Sequence, residues 1–410
     1  MGKEISCWVS RIAIAIFCTW VGADAYGATS NLSAKSIKIP FRYVQSFILV
    51  DVQIERLLPL KLIFDTGAEH TILFDRQVTD LFENIYQREI KVIGSDLQTE
   101  LPALLSVPVS LSFGKAFQYQ TPLIILQENN TSISRIIGEN VHGILSASNF
   151  SNYLIQIDYS GKWIYLHPRS EKIPDAFHKV DLNMYKNKPY LETEIALANG
   201  TRQRVQLLID TGASLSLLLY RDSTDRYAIP EALVPAYLGS GLGGLLTGYV
   251  GRTGALQMGK YVLREVVSHY MLVETPLAKA EKQVKNGLIG NLVLERFHVY
   301  LDYLSSKLYL KPSKKFDAEM PYDKSGMLII CGGDDLQRYM VGFVVPGSPA
   351  FEAGIREDDE ILRVNGMPVS MLSLGKVNGL LQKRDGKRIR LLMRRDGSKY
   401  KCSFMLRSMI

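Results

Sequence analysis

LIFDTGAEHTIL, Leu62 to Leu73, returns as LLIDTGASLSLL, Leu207 to Leu218. In each copy an apolar run with strand character ends on Asp-Thr-Gly-Ala, which delivers an aspartate at a tight turn where Gly allows the backbone to come close. One such turn would be ordinary Asp and Gly turn chemistry. Two are linked by register. The offset of 145 residues between Asp65 and Asp210 also aligns Ile93-Gly94-Ser95 with Leu238-Gly239-Ser240, and Phe113-Gly114-Lys115 with Met258-Gly259-Lys260, without a gap. After one net deletion the offset becomes 144. It then matches His142-Gly143-Ile144-Leu145 to Asn286-Gly287-Leu288-Ile289, and IDYSGKWIYLHP from Ile157 to LDYLSSKLYLKP from Leu301. Landmarks in constant register over this distance mark a duplication, with halves at about residues 35–170 and 176–313.

Each half reads as β structure. FILVDVQ and KLIF in the first, YLETEIAL and VQLLI in the second, are short, apolar and separated by turn-forming residues, and no helical period dominates. Asp158-Tyr159-Ser160-Gly161 and Asp302 to Ser306 are expected to turn the chain between the two closing strands of each half. A twofold relation between the halves brings Asp65 and Asp210 together, and two carboxyls in one site keep one proton between them. Such a pair can activate water with one member while the other protonates a carbonyl. The competing reading is a pair of turn-capping aspartates in a duplicated binding protein.

Residues 35–313 resemble the retropepsin-like aspartic proteases. The resemblance rests on the apolar pair before Asp-Thr-Gly-Ala in both copies, on the hydroxyl residues Thr71 and Ser216, and on Leu288-Ile289-Gly290-Asn291-Leu292 downstream. It implies a mainly β fold, a bilobal acid-protease β-barrel pseudo-dimer carried in one chain and active as a monomer without a cofactor. Asp65 and Asp210 would be catalytic. Thr66, Gly67, Ala68, Thr211, Gly212 and Ala213 would support them, the threonines by interlocking beneath the dyad. Two departures make the halves unequal. Ser146 stands where Gly290 stands in the second half, and Glu69 and His70 face Ser214 and Leu215. Ala68 and Ala213 lack the hydroxyl that pepsin-like relatives offer the ionised carboxylate, so activity is expected to extend nearer neutral pH. Gly239 to Gly254 holds seven glycines in the register of the family's flap, with Gly241, Gly243 and Gly244 as flap candidates. The first-half counterpart, Gly94 to Leu104, lacks this richness, so the second half is expected to carry the main flap. A flexible surface loop is the alternative there.

Beyond Pro312 the repeat ends. Gly347-Ser348-Pro349-Ala350, Ala353-Gly354-Ile355, Asp358-Asp359-Glu360-Ile361-Leu362 and Val364-Asn365-Gly366 together resemble a bacterial-type PDZ domain over residues 322–410, a small α+β unit. Ser348 with Pro349 starts a short helix, Gly354 stops it, and Asn365-Gly366 forms a tight turn. The resemblance implies capture of C-terminal peptide tails at a sheet edge, with Ser325, Gly326, Met327 and Leu328 as candidates for the carboxylate loop. A structural cap without ligand is the alternative.

The totals narrow the classes. Hydrophobic residues at 47% and charged residues at 22% describe an ordinary globular chain, and 410 residues accommodate about three domains. The net charge of +7 is local: Lys376 to Arg407 holds eleven Lys or Arg against Asp385 and Asp396. That stretch could meet an anionic membrane surface, or form a solvated face of alternating strands such as RIRLLMRR. No nucleic-acid motif accompanies it. The six histidines lack a His-Glu-x-x-His spacing, so no metal site is expected. Lys3, Arg11, the apolar run Ile12 to Val21 and Ala23-Asp24-Ala25 have the form of an export signal over residues 1–25, cleaved after Ala25 or kept as an anchor, which implies a periplasmic or secreted protein. Cys331 and Cys402 then remain, with pairing left open.

Overall fold

A computed structural model describes residues 35–82, 85–115, 117–129, 131–197, 199–221, 233–273, 275 and 285–410. The expected export signal, residues 1–25, lies outside them. The described chain is mainly β.

The two halves meet in one six-stranded sheet to which each contributes three strands. Its order is Ile37–Pro40, Trp163–His167, Leu154–Asp158, Phe297–Asp302, Lys307–Pro312, His178–Asp181. At its centre Leu154–Asp158 runs antiparallel to Phe297–Asp302, pairing Ile155 with Leu301, Gln156 with Tyr300 and Ile157 with Val299. Gln156 and Tyr300 are equivalent in the 144-residue register, so the axis relating the halves passes between them. The closing hairpins turn where the sequence expects. Asp158 Oδ1 accepts from the Ser160 and Gly161 amides, and Asp302 Oδ1 from Ser305 N–H.

Within each half the strand leading to the aspartate is paired in the same manner. Leu58–Asp65 runs parallel to Gly143–Ser146, which is in turn antiparallel to Ile72–Leu73. In the second half Arg202–Ile209 runs parallel to Gly287–Ile289, itself antiparallel to Leu217–Arg221. One strand therefore threads between the two arms of each aspartate turn. That threading requires glycine: a Cβ at Gly143 would overlap the Ile72 carbonyl oxygen, and one at Gly287 the Leu218 carbonyl oxygen. Both halves contribute to one continuous core that includes Phe64, Leu145, Leu207 and Ile289.

The C-terminal module has its own core, with Met327, Ile329, Val341, Ile361, Val377, Ile389 and Phe404 among its members. Its sheet begins at an edge strand, Met327–Gly332, followed in order by Arg338–Val344, Glu360–Val364, Arg388–Arg395 and Ser398–Met405. Ser348 caps the short helix by accepting from Phe351 N–H at 3.2 Å, and Asn365 and Gly366 both turn with positive φ. In RIRLLMRR, Ile389, Leu391 and Met393 are buried while Arg388 and Arg390 are exposed; Arg394 and Arg395 pair with Glu360 and Asp359 at 2.9 and 2.7 Å. Cys331 and Cys402 are free thiols on opposite edge strands.

Candidate functional site

Each Asp-Thr-Gly turn is tied to the other. Thr66 N–H donates to Thr211 Oγ1 at 3.0 Å, and Thr211 N–H to Thr66 Oγ1 at 3.0 Å. The hydroxyls then donate onward, Thr66 Oγ1 to the Ile209 carbonyl at 2.6 Å and Thr211 Oγ1 to the Phe64 carbonyl at 2.9 Å. Both threonines are fully buried, so these bonds form away from water. They fix the distance between the turns. The consequence is steric as well: a Cβ on Gly67 would lie 2.9 Å from Asp210 Cγ, and one on Gly212 would overlap the Asp65 carboxyl. Glycine after each threonine is what lets the two carboxyls share one site.

Across the two turns, the Asp65 carboxyl lies against Gly212 and the Asp210 carboxyl against Gly67, so the two carboxyls act directly on each other. Asp65 Oδ1 also accepts from Gly67 N–H at 2.6 Å and Ala68 N–H at 3.1 Å, and Asp210 Oδ1 from Gly212 N–H at 2.8 Å. Burial pushes both carboxyls above the ordinary range, and for Asp65 the neighbouring Asp210 charge adds to it. Backbone amides and the Lys188 cation oppose the shift at both, as does Lys285 at Asp210. The pair therefore keeps a proton at pH values where isolated carboxyls have lost theirs.

The unequal flanks expected from the sequence use different chemistry on the equivalent Ala68 and Ala213 carbonyls. In the first half Ser146 Oγ donates to the Ala68 carbonyl at 2.7 Å, and Ser148 Oγ to the Glu69 carbonyl at 3.1 Å. In the second, Gly290 brings backbone close, and Asn291 N–H and Leu292 N–H reach the Ala213 and Leu215 carbonyls at 2.9 and 3.2 Å. Thr71 Oγ1 accepts from Ser146 N–H, and Ser216 Oγ donates to the Val267 carbonyl. Glu69 Oε1 and His70 Nε2 lie 3.7 Å apart, and burial lowers the His70 pKa.

Three further participants escape sequence reasoning. Tyr303 donates its hydroxyl to the Thr66 carbonyl at 3.3 Å. Tyr159, its counterpart, donates to Asn291 Oδ1 at 2.7 Å, and Asn291 Nδ2 reaches the Thr211 carbonyl at 2.6 Å and the Ser46 carbonyl at 2.9 Å. The Asp-Tyr pair shared by IDYS and LDYL was the available signal.

The glycine-rich segment is a hairpin, Val234–Gly241 against Gly244–Met258, with Gly241 paired to Gly244 and positive φ at Gly243 and Gly244. It crosses to the first half. The Leu242 carbonyl accepts from Ser95 N–H at 2.6 Å, Leu242 N–H donates to Ser95 Oγ at 3.1 Å, and the Leu242 side chain packs with Phe47, Ile63, Ile133 and Ile137. The first half answers in kind. Its hairpin, Tyr86–Ile93 with Glu100–Ser106, carries Leu97 at the tip, buried with Tyr190, Leu208 and Leu218 of the second half. Leu97 and Leu242 are equivalent at the 145-residue offset. This tip lacks the glycine richness of the second; an aspartate shapes it instead, Asp96 accepting from the Gln98 and Thr99 amides.

In the C-terminal module, strand order, the Ser348-capped helix, the Asn365-Gly366 turn and the helix Leu374–Leu381 form one compact unit. Residues 341–395 match the family model of the PDZ domain. No curated protein matches the chain. The edge strand Met327–Gly332 precedes the matched residues and pairs with the PDZ strand Arg338–Val344. In the candidate carboxylate loop, Asp323 Oδ1 accepts from Ser325 N–H at 2.9 Å, Gly326 N–H at 2.8 Å and Ser325 Oγ at 2.7 Å, while Met327 N–H donates to Ser325 Oγ at 3.2 Å. The amides expected to greet a ligand carboxylate thus already hold one from the same chain. Burial pushes Asp323 up to about 6.

Proposed function

We propose that this chain is an aspartic endopeptidase of the retropepsin-like kind, with both half-sites in one polypeptide and a PDZ domain for protein or peptide partners. The observation that carries the reading is the reciprocal pair of Thr66 and Thr211 hydrogen bonds, which holds Asp65 and Asp210 in one buried, proton-sharing site. The ionised carboxyl removes a proton from water as the water oxygen attacks the peptide carbonyl carbon. The neutral carboxyl gives its proton to the carbonyl oxygen. The resulting gem-diol collapses as the carbon–nitrogen bond breaks: one of its hydroxyls gives its proton to the now ionised carboxyl while the departing nitrogen takes the proton of the neutral one, so the dyad ends with its single shared proton. No covalent adduct forms.

The hairpin tips at Leu97 and Leu242 suit a cover that opens for an extended polypeptide and closes over it. Because both carboxyls come from one chain, a monomer carries a complete dyad. The apolar run Ile12 to Val21 and the small residues after it support action outside the cytoplasm. Incubating the purified full chain with an unfolded protein, beside Asp65→Asn and Asp210→Asn forms, tests the reading. Peptide products from wild type alone are expected. Binding of the substrate without products in any form would leave a peptide-binding scaffold.

A further inference from the structure

A PDZ groove takes an extended peptide along a free sheet edge, beside a helix. Here that edge is Met327–Gly332 and the helix is Leu374–Leu381. Both face the first half of the chain. The short helix Ile133–Ile137 packs on the edge strand, and Arg135 Nε donates to the Cys331 carbonyl at 3.2 Å. Gly138, which ends this helix with φ of 77°, sits against both walls: a Cβ built there lies 3.1 Å from Cys331 Sγ and 3.5 Å from Leu374 Cδ2. One turn further along the PDZ helix, Asn378 Nδ2 donates to Gln45 Oε1 at 3.2 Å. The loop amides at the head of the groove are held by Asp323.

The same short segment grips the hairpin of the second half. Ser132 N–H donates to Ser240 Oγ at 3.0 Å, and Ile133 and Ile137 belong to the same buried cluster as the tip residue Leu242. Residues 132–138 are therefore in contact with the PDZ edge on one side and the cover of the cleft on the other.

We infer that the PDZ groove binds residues 132–138 of its own chain and, through them, latches the Gly241–Gly244 tip shut. An extended peptide pairing with Met327–Gly332 must displace Arg135 and Gly138 from the edge, which loosens the seat of Leu242. The consequence for catalysis rests on the peptidase reading; the latch itself does not.

Two opposed perturbations of the full-length protein test it, read by hydrogen exchange of the Leu242 amide and by peptide hydrolysis. Arg135→Ala with Asn378→Ala removes the two polar anchors of the PDZ domain to the first half among the described residues. Gly138→Cys places a thiol within disulfide reach of Cys331, a reversible lock whose reduced form controls for backbone strain at this position. Loosening is expected to speed Leu242 exchange and raise hydrolysis about tenfold, within the usual range of coupling between sites, and oxidation of Gly138→Cys to slow both until reductant is added. Equal Leu242 exchange in wild type and the double variant would overturn the latch, and that comparison decides even where Gly138→Cys fails to fold. Exchange that follows the latch with no hydrolysis in any form supports the latch and removes the peptidase instead.

Discussion

Tyr303 donates its hydroxyl to the Thr66 carbonyl of the other half at 3.3 Å. Its counterpart Tyr159 reaches the Thr211 carbonyl only through Asn291. The two turns are thus braced from below by unequal struts. Tyr303→Phe removes one long hydrogen bond and should cost about 0.5–1.5 kcal/mol of stability. Asn291→Ala strands the Ser46 and Thr211 carbonyls and the Tyr159 hydroxyl together, each worth about 1–3 kcal/mol when buried without a partner. Urea unfolding should rank Asn291→Ala well below Tyr303→Phe; equal midpoints would mean that the second strut is slack.

On the proposed peptidase reading, the dyad links activity to stability with a definite sign. Burial raises both carboxyls above their unfolded values, so the fold favours the neutral form. That contribution is complete below the unfolded carboxyl pKa, about 4, and is lost as pH rises through the folded values. Asp65→Asn or Asp210→Asn should therefore stabilise the protein at pH 7 by about 1–3 kcal/mol, the scale of relieving a poorly satisfied buried polar group, with the gain vanishing near pH 4. Hydrolysis should fall about 100- to 10,000-fold in the same variants. Thermal melts across this pH range check the first claim; a stability gain independent of pH would show that the carboxyls do not share a strained proton.

Why some of this could be read from the chain and some could not follows from the range over which each signal acts. The aspartate turns, the threading glycines Gly143 and Gly287 and the closing hairpins are local patterns written twice, and repetition at a fixed offset separated them from chance. Leu97 and Leu242 obey the same offset, yet an apolar residue in a turn gives no hint that its partner core is in the opposite half. Ser146 read as a lost glycine because the hydroxyl's acceptor, the Ala68 carbonyl, is 78 residues away in sequence. The segment SISRII carries no repeated motif, and its contacts with the PDZ edge are visible only once three separate units pack. Asp323 carries no motif either; only folding turns its carboxyl into the occupant of the Ser325 and Gly326 amides.

Exchange of tips between halves can be tested at either end. Leu97→Ala and Leu242→Ala each empty a buried site in the opposite half, and a buried Leu→Ala change typically costs about 2–5 kcal/mol. Because a hairpin tip can lift away without unfolding its half, most of that cost should appear as local opening rather than as a lower global midpoint. Proteolysis at Gly239–Gly244 in Leu242→Ala, and at Gly94–Thr99 in Leu97→Ala, should quicken while the melting temperature changes little. A large fall in melting temperature with unchanged local cleavage would make the tips parts of the core rather than movable covers.

Lys188 offers a prediction about pH that depends on charge alone. It opens the strand Lys188–Ala196, just after the turn at Lys186 and Asn187, and its positive charge favours the ionised form of both Asp65 and Asp210. Lys188→Gln keeps a long polar side chain and removes that charge. Both carboxyls then hold their protons to higher pH. The proposed hydrolysis needs one proton on the pair, so the acid limb, where the second proton binds, and the alkaline limb, where the last one leaves, should both move upward. The expected result is a bell-shaped profile displaced to higher pH with its width little changed, and the displacement should shrink as salt screens the wild-type lysine. Movement of one limb alone would assign Lys188 to a single carboxyl, and a profile that stays in place would mean that the backbone amides of Gly67, Ala68 and Gly212 set the proton balance without it.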